Sequence, residues 1–210
     1  MRLRKKPNLD KRMERCSHLL AGDPISLRGH WLDEYKYETL CVELGCGMGR
    51  FTVETAKAEQ GVFFVAIEKI ADAMIVALER ALDGEITNAR FINADADNLA
   101  DYFAPDEISR IYINFCDPWP TNRHAKRRLT NPRFLEIYSQ ILCSGGELQF
   151  KTDNIPLFDY SVREFERAGL ILAETVRDLH KEAPTGIMTD YESKFHSRGV
   201  PICFARAVRK

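Results

Sequence analysis

The sequence predicts an α/β fold: a Rossmann-like, seven-stranded, mostly parallel sheet flanked by helices. Three observations lead there. Short apolar runs rich in β-branched and aromatic residues alternate with stretches whose apolar residues recur at helical spacing. Glycines and acids fall just after the strand-like runs, where sheets of this class hold their ligands. The length, 210 residues, suits one domain with a terminal extension, and 45% hydrophobic residues are enough for a core.

TLCVELG reads as the first strand and MGRFTVETAKAE as the helix after it. VFFVAIE is a second buried strand. The helix that follows carries Met74, Ala77, Leu78, Ala81 and Leu82 on one face. ARFINAD and RIYINF are the third and fourth strands. Asn131 and Pro132 make an N-cap and first-turn pair for the next helix. Phe134, Tyr138, Ile141 and Leu142 form its apolar face, and Gly145 and Gly146 are expected to stop it. ELQFKTD is the fifth strand, a helix runs from about Pro156 to Gly169, LILAETV is the sixth strand and PICFARAV the seventh. Residues 1–38 read as an irregular basic arm, flexible or loosely packed, and 39–210 as the domain.

The formal net charge is -1, so charge balance alone does not announce a nucleic-acid partner. Its distribution says more. Arg2, Arg4, Lys5, Lys6, Lys11, Arg12 and Arg15 crowd the N-terminus, and Arg123, Lys126, Arg127, Arg128 and Arg133 crowd a second region. Six cysteines contain no C-x-x-C pair, which favours buried thiols in a reducing compartment over zinc or disulfides. The five histidines lack ligand spacing, so no metal is expected. No long apolar segment and no signal-peptide core are visible, which places the chain in the cytoplasm, away from membranes.

VELGCGMGRF joins the first strand to the first helix. Gly45, Gly47 and Gly49 are spaced G-x-G-x-G, not the G-x-G-x-x-G of dinucleotide sites. Glu43 precedes the loop. Glu68 ends the second strand, where a carboxylate can accept hydrogen bonds from both ribose hydroxyls of a nucleoside. Asp95 follows the third strand and suits an adenine amino group; it also suits a turn or cap, as do Asp97 and Asn98. This pattern resembles the first motif of the S-adenosylmethionine-dependent methyltransferases. The resemblance implies that Glu43 lies near the amino-acid end of the cofactor beside Gly45 and Gly47, with Glu68 at the ribose and Asp95 at the adenine. A nicotinamide dehydrogenase is the rival for a glycine loop with a ribose acid, and the loop spacing counts against it.

After the fourth strand comes NFCDPWPTNRHAKRRL. Its prolines fix the backbone and turn the Asp117 carboxylate toward the cofactor end of the sheet. Trp119 packs either against a base or loop, or in the core. FCDPWP…RHAKRRL, with GGELQFKTDN and TDYESKF…RG, resembles the bacterial tRNA (guanine-N7)-methyltransferases, from about Cys41 to Phe204. The resemblance implies the class I methyltransferase fold, S-adenosylmethionine as cofactor, tRNA as partner and methylation of the variable-loop guanine. It makes Asp117 the catalytic carboxylate, positioning the base and stabilising its developing charge, and places it at the cofactor as well. It assigns substrate contacts to Thr121, Asp153, Thr189, Asp190, Tyr191 and Glu192, and phosphate contacts to Arg123, Lys126, Arg127 and Arg128.

Two of those assignments have a structural competitor. Asp153 also suits an N-cap for the helix near Pro156. Thr189 and Glu192 also form the T-x-x-E of a capping box, which spacing alone prefers and the resemblance demotes. One departure stands out: where the family usually continues with lysines after DPWP, this chain has Thr121 and Asn122, which bring no charge. Two other functions stay in view, a methyltransferase for a small molecule or protein and a tRNA-binding protein that has lost catalysis. Monomer and homodimer are both compatible with the sequence.

Overall fold

The computed structural model describes residues 5–182 and 186–210. Arg2 and Arg4 of the N-terminal basic cluster lie outside the described residues. The apolar runs form a seven-stranded sheet: β1 (Leu40–Leu44), β2 (Phe63–Ile67), β3 (Ala89–Ile92), β4 (Ile108–Asn114), β5 (Leu142–Thr152), β6 (Ile171–Val176) and β7 (Cys203–Val208). LCVEL and FFVAI are buried at every position because helices cover both faces of these central parallel strands. The order is β3-β2-β1-β4-β5-β7-β6, with β7 antiparallel to both β5 and β6 and all other pairs parallel. The chain leaves β1 toward β2 and β3, then returns to β4 on the other side. That reversal opens a crevice at the carboxyl ends of β1 and β4.

Helices alternate with the strands: α1 (Leu9–Arg15), α2 (Trp31–Tyr35), α3 (Arg50–Ala58), α4 (Ala71–Asp83), α5 (Leu99–Tyr102), α6 (Pro132–Ile141), α7 (Ile155–Arg167), α8 (Leu179–Glu182) and α9 (Asp190–His196). On one face of the sheet Trp31, Phe103, Phe134, Tyr138, Phe150 and Phe165 pack into a core. On the other, Phe51, Met74, Ile75, Leu78 and Phe91 pack with Tyr112. Met74, Ala77, Leu78 and Ala81 face inward from α4 as their spacing requires. All six cysteines are free thiols, four of them buried. Among the described residues no helix is long and apolar enough to cross a membrane.

Three local expectations are corrected. Gly145 and Gly146 do not stop α6: the helix ends at Ile141, Leu142 already belongs to β5, and both glycines lie inside that strand. Gly145 has φ 75° and donates to the Arg209 carbonyl at 3.0 Å, so the pair kinks β5 where its register against β4 shifts. Residues 5–38 are not loosely packed. The Arg12 guanidinium pairs with Glu79 on α4, Ala21 donates to the Phe91 carbonyl at 2.9 Å, and Trp31 is fully buried with its indole N–H on the Tyr102 carbonyl at 2.8 Å. The N-cap of α7 is Asn154, whose Oδ1 accepts from the Leu157 amide at 2.8 Å, and not Asp153.

Candidate active site

The turn from β1 to α3 continues the ladder for two residues: the amides of Gly45 and Cys46 both donate to the Ile67 carbonyl, at 2.8 and 3.1 Å. Gly47, at φ 57°, then points its N–H at Glu68 Oε2, 3.0 Å away. Glu68 Oε1 accepts from the Ile70 amide at 2.8 Å. Each carboxylate oxygen thus takes one backbone donor and keeps a further acceptor direction. Gly49 is fixed by packing, because a Cβ there would stand 2.5 Å from the Ala77 Cβ on α4. Asp95 caps the short turn after β3, accepting from the Asp97 amide at 3.3 Å, and lies 3.7 Å from Lys69 Nζ.

Glu43 behaves differently from expectation. It is buried beneath the loop, accepting from Asn114 Nδ2 at 3.0 Å and from the Thr52 hydroxyl. Burial pushes its carboxyl above the usual carboxylate range, against those two donors and Lys151. It ties β1, α3 and the end of β4 together and does not line the cleft.

Beyond β4 the backbone enters the left-handed region twice, at Phe115 (φ 55°) and Trp119 (φ 41°). Phe115 donates its amide to the Lys151 carbonyl at 2.9 Å. Arg128 holds the rest of the turn. It is buried, donates to the carbonyls of Pro118 at 3.1 Å and Trp119 at 2.9 Å, and stacks 4.4 Å over Tyr160. The expected phosphate contact is therefore committed inside the protein. Asp117, exposed, stands on the turn so held. Arg127 covers Trp119 at 4.9 Å, so this Trp lies at the cleft and not in the core. The neighbouring Cys116 thiol is pushed up to about 12 by burial, with the Asp117 charge adding to it, so it is no nucleophile. Arg133 bridges two loops, donating to Asp97 at 2.6 Å and to the Lys126 carbonyl at 2.7 Å.

The late motif forms the capping box that its spacing proposes. Thr189 Oγ1 accepts from the Glu192 amide at 2.9 Å, and Glu192 accepts from the Thr189 amide at 3.4 Å. Glu192 is fully buried against Lys151. Asp190 pairs with Arg80 at 2.7 Å. Tyr191 is exposed and packs its ring 5.1 Å from Phe115. The Asp153 charge and burial both push the Tyr191 hydroxyl up, burial the more.

A cleft of about 510 Å³ gathers Gly45, Gly47, Glu68, Asp95 and Asp117 on one wall system, with Phe115, Trp119, Arg127 and Arg133. That volume is within the usual range of small-molecule sites. Among the described residues, Glu43, Thr121, Arg123, Lys126, Arg128, Asp153, Thr189, Asp190, Tyr191 and Glu192 do not line it. Arg123, Lys126 and Thr121 stand exposed on the adjoining turn, the Thr121 hydroxyl 3.2 Å from His124 Nδ1. Sequence reasoning missed Arg80, Lys151 and His180. Lys151 carried no clear signal, since its run, ELQFKTD, mixes polar and apolar residues.

Comparison with known proteins bears on the family and the fold. The methyltransferase family model Methyltransf_4 matches residues 37–205. A solved 16S rRNA methyltransferase, KamB, superposes with a TM-score of 0.66 at 13% identity, over 85% of this chain and 92% of that one. The aminoglycoside resistance methyltransferase NpmB1 gives 0.60 at 20% identity, over 85% and 92%. Phosphoethanolamine N-methyltransferase 2 of Haemonchus contortus, solved with S-adenosyl-L-methionine, gives 0.53 at 14% identity, over 82% of this chain and 49% of that one. At these identities the likeness is one of fold, that of class I methyltransferases.

Proposed function

The chain belongs to Methyltransf_4, the family of the tRNA (guanine-N7)-methyltransferases, and is an S-adenosylmethionine-dependent methyltransferase; we propose that it methylates N7 of the variable-loop guanine of tRNA. The observation that carries this reading is the position of Asp117. It lines the same cleft as Glu68, Asp95 and the glycine loop, with Trp119 and Arg127 beside it and the exposed cations Arg123 and Lys126 on the adjoining turn.

The residues fit the cofactor. A Cβ added at Gly45 or Gly47 would meet nothing within 4 Å, so the loop has open space before it. Glu68 retains one acceptor direction on each oxygen for a ribose hydroxyl, and Asp95 stands at the adenine side. When bound, S-adenosylmethionine supplies a methyl group activated by a sulfonium. Guanine N7 carries an in-plane lone pair and no proton, so this chain has no base to provide, only position. Asp117 accepts hydrogen bonds from the guanine N1 and N2 hydrogens. Those bonds strengthen as the ring becomes cationic, which favours the transition state over the ground state. Arg123, Lys126 and Arg127 meet phosphates, a contribution blind to sequence and weakened by salt. Arg128 acts through the turn it holds. Thr121, Asp153 and Tyr191 bound the substrate side, and Thr189, Asp190 and Glu192 act by fixing α9 there.

Methyl transfer to unmodified bulk tRNA, with the product mapped by cleavage specific for N7-methylguanine, tests the reading. Cleavage at the variable-loop guanine is expected. Methylated tRNA without that cleavage would move the target to another atom. Transfer to 16S rRNA in preference to tRNA would replace the substrate.

A further inference from the structure

Arg133 breaks a local rule. It is the second residue of α6, in the first turn, where the helix dipole disfavours a cation. Its amide takes part in the cap, donating to Asn131 Oδ1 at 3.3 Å. Its guanidinium turns to two other segments. It donates from Nη2 to Asp97 Oδ1 at 2.6 Å and from Nε to the Lys126 carbonyl at 2.7 Å, and it lies 4.4 Å over the Phe134 ring. The two side chains of the ion pair are 47% and 50% exposed, so its net contribution to stability is small. A cation in an unfavourable place that adds little stability serves another purpose.

The segments it joins face two different ligands. Asp97 lies two residues beyond Asp95 on the loop after β3, and its amide donates to Asp95 Oδ1 at 3.3 Å. That loop is the adenine side of the proposed cofactor site. Lys126 belongs to the turn Asn122–Arg127, whose Arg123, Lys126 and Arg127 are the phosphate contacts of the proposed function. Asp95, Asp97, Arg127 and Arg133 all line the cleft. Among the described residues no hydrogen bond runs directly from the loop to the turn, and Arg133 is the bridge between them.

Resting on the proposed tRNA reaction, we propose that Arg133 and Asp97 are positioning residues that couple the two ligands: cofactor bound at Asp95 fixes the loop, Asp97 holds Arg133, and Arg133 holds the basic turn ready for the RNA backbone. A turn ordered before RNA arrives removes part of the ordering cost from the RNA step. The coupling is reciprocal, so RNA seated on the turn tightens cofactor by the same factor. The planar fork of a guanidinium lets one side chain serve two segments at once, which an ammonium on a flexible stem does less well.

The test uses the full chain and the demethylated cofactor, S-adenosylhomocysteine, which cannot react. Its affinity is measured with and without saturating unmodified tRNA. The wild-type protein should bind it about fivefold more tightly with tRNA present. Arg133→Met and Asp97→Asn should each bring that ratio to about one, and the double variant should go no further than either alone. Arg133→Lys should recover part of the ratio. A direct contact of either side chain with one ligand lowers that ligand's affinity equally with and without the other, so it cancels from the ratio. A ratio of one in wild-type protein that binds tRNA, or a ratio that survives both substitutions, would overturn the proposal. If one variant fails to fold, the other decides. Hydrogen exchange at residues 122–127 needs no RNA and separates this coupling from the tRNA reading. Cofactor alone should slow exchange there about fivefold in the wild-type protein and not in Arg133→Met. Equal exchange with and without cofactor would overturn the coupling. Slowed exchange in a protein that does not bind tRNA would sink the proposed function and leave the bridge standing.

Discussion

The turn after β1 reverses through glycines, Gly47 at φ 57° and Gly49 at φ 75°; the turn after β4 enters the same left-handed region with Phe115 at φ 55° and Trp119 at φ 41°. For glycine that conformation is free of the Cβ clash, and at Gly49 the backbone comes so close to Ala77 that no Cβ fits. For a residue with a side chain it costs about 1–2 kcal/mol. The second turn carries that cost twice and shows both aromatic rings at the cleft. Buttresses hold it there: Arg128 on the carbonyls of Pro118 and Trp119, and the Lys151 carbonyl on the Phe115 amide. A site that needs backbone is built from glycine, and a site that needs side chains at the same kind of corner is built from strain with support.

Breaking the first turn should have the largest effect. Gly49→Ala adds a left-handed Cβ and a clash with Ala77, together about 2–5 kcal/mol of destabilisation, read as a lowered thermal midpoint with loss of cofactor binding. Retained stability would mean that α3 and α4 can part without harm. Next comes the acid of the second turn. Asp117→Ala should slow single-turnover methyl transfer about 10²–10³-fold while cofactor affinity, read by titration, falls less. An undiminished rate at saturating tRNA would remove Asp117 from the reaction. Removing the buttress comes third: Arg128→Met leaves the two carbonyls without their cationic donor, about 1.5–3 kcal/mol. Activity should fall more than cofactor affinity, as measured by parallel kinetics and titration. Trp119→Gly should change stability least, by under about 1 kcal/mol, since relief of the left-handed strain offsets the lost Arg127 stacking. Activity should nonetheless fall. A large loss of stability in denaturant unfolding would show that Trp119 is there for packing.

How much of this was legible in the sequence depended on distance along the chain. LCVEL and FFVAI announced central strands because every residue but Glu43 is apolar, and the α4 face followed from spacing. The capping box at Thr189 and Glu192 was legible for the same reason: its partners are three residues apart. The convergence of Gly45, Gly47, Glu68, Asp95 and Asp117 on one cleft was legible through the strand ends that carry them. The fates of the charges were not. Arg12 finds Glu79, Arg80 finds Asp190 and Lys151 finds Glu192 across 67, 110 and 41 positions. The two glycines of β5 misled for a related reason, since a glycine marks a place where the backbone departs from the ordinary without saying whether a helix ends or a strand kinks.

By itself the sequence determined the alternation of strands and helices, the N-caps at Asn131 and Thr189 and the identity of the loops that make the cleft. Those depend on apolar period and on hydrogen bonds within a few residues, which local chemistry dictates. Tertiary structure alone decided that Arg128 is a buttress and not a surface cation, that Glu43 lies beneath the glycine loop, and that Glu192 anchors α9 to β5. A charged side chain takes whatever partner folding brings within reach, and burial then makes that partnership costly to leave.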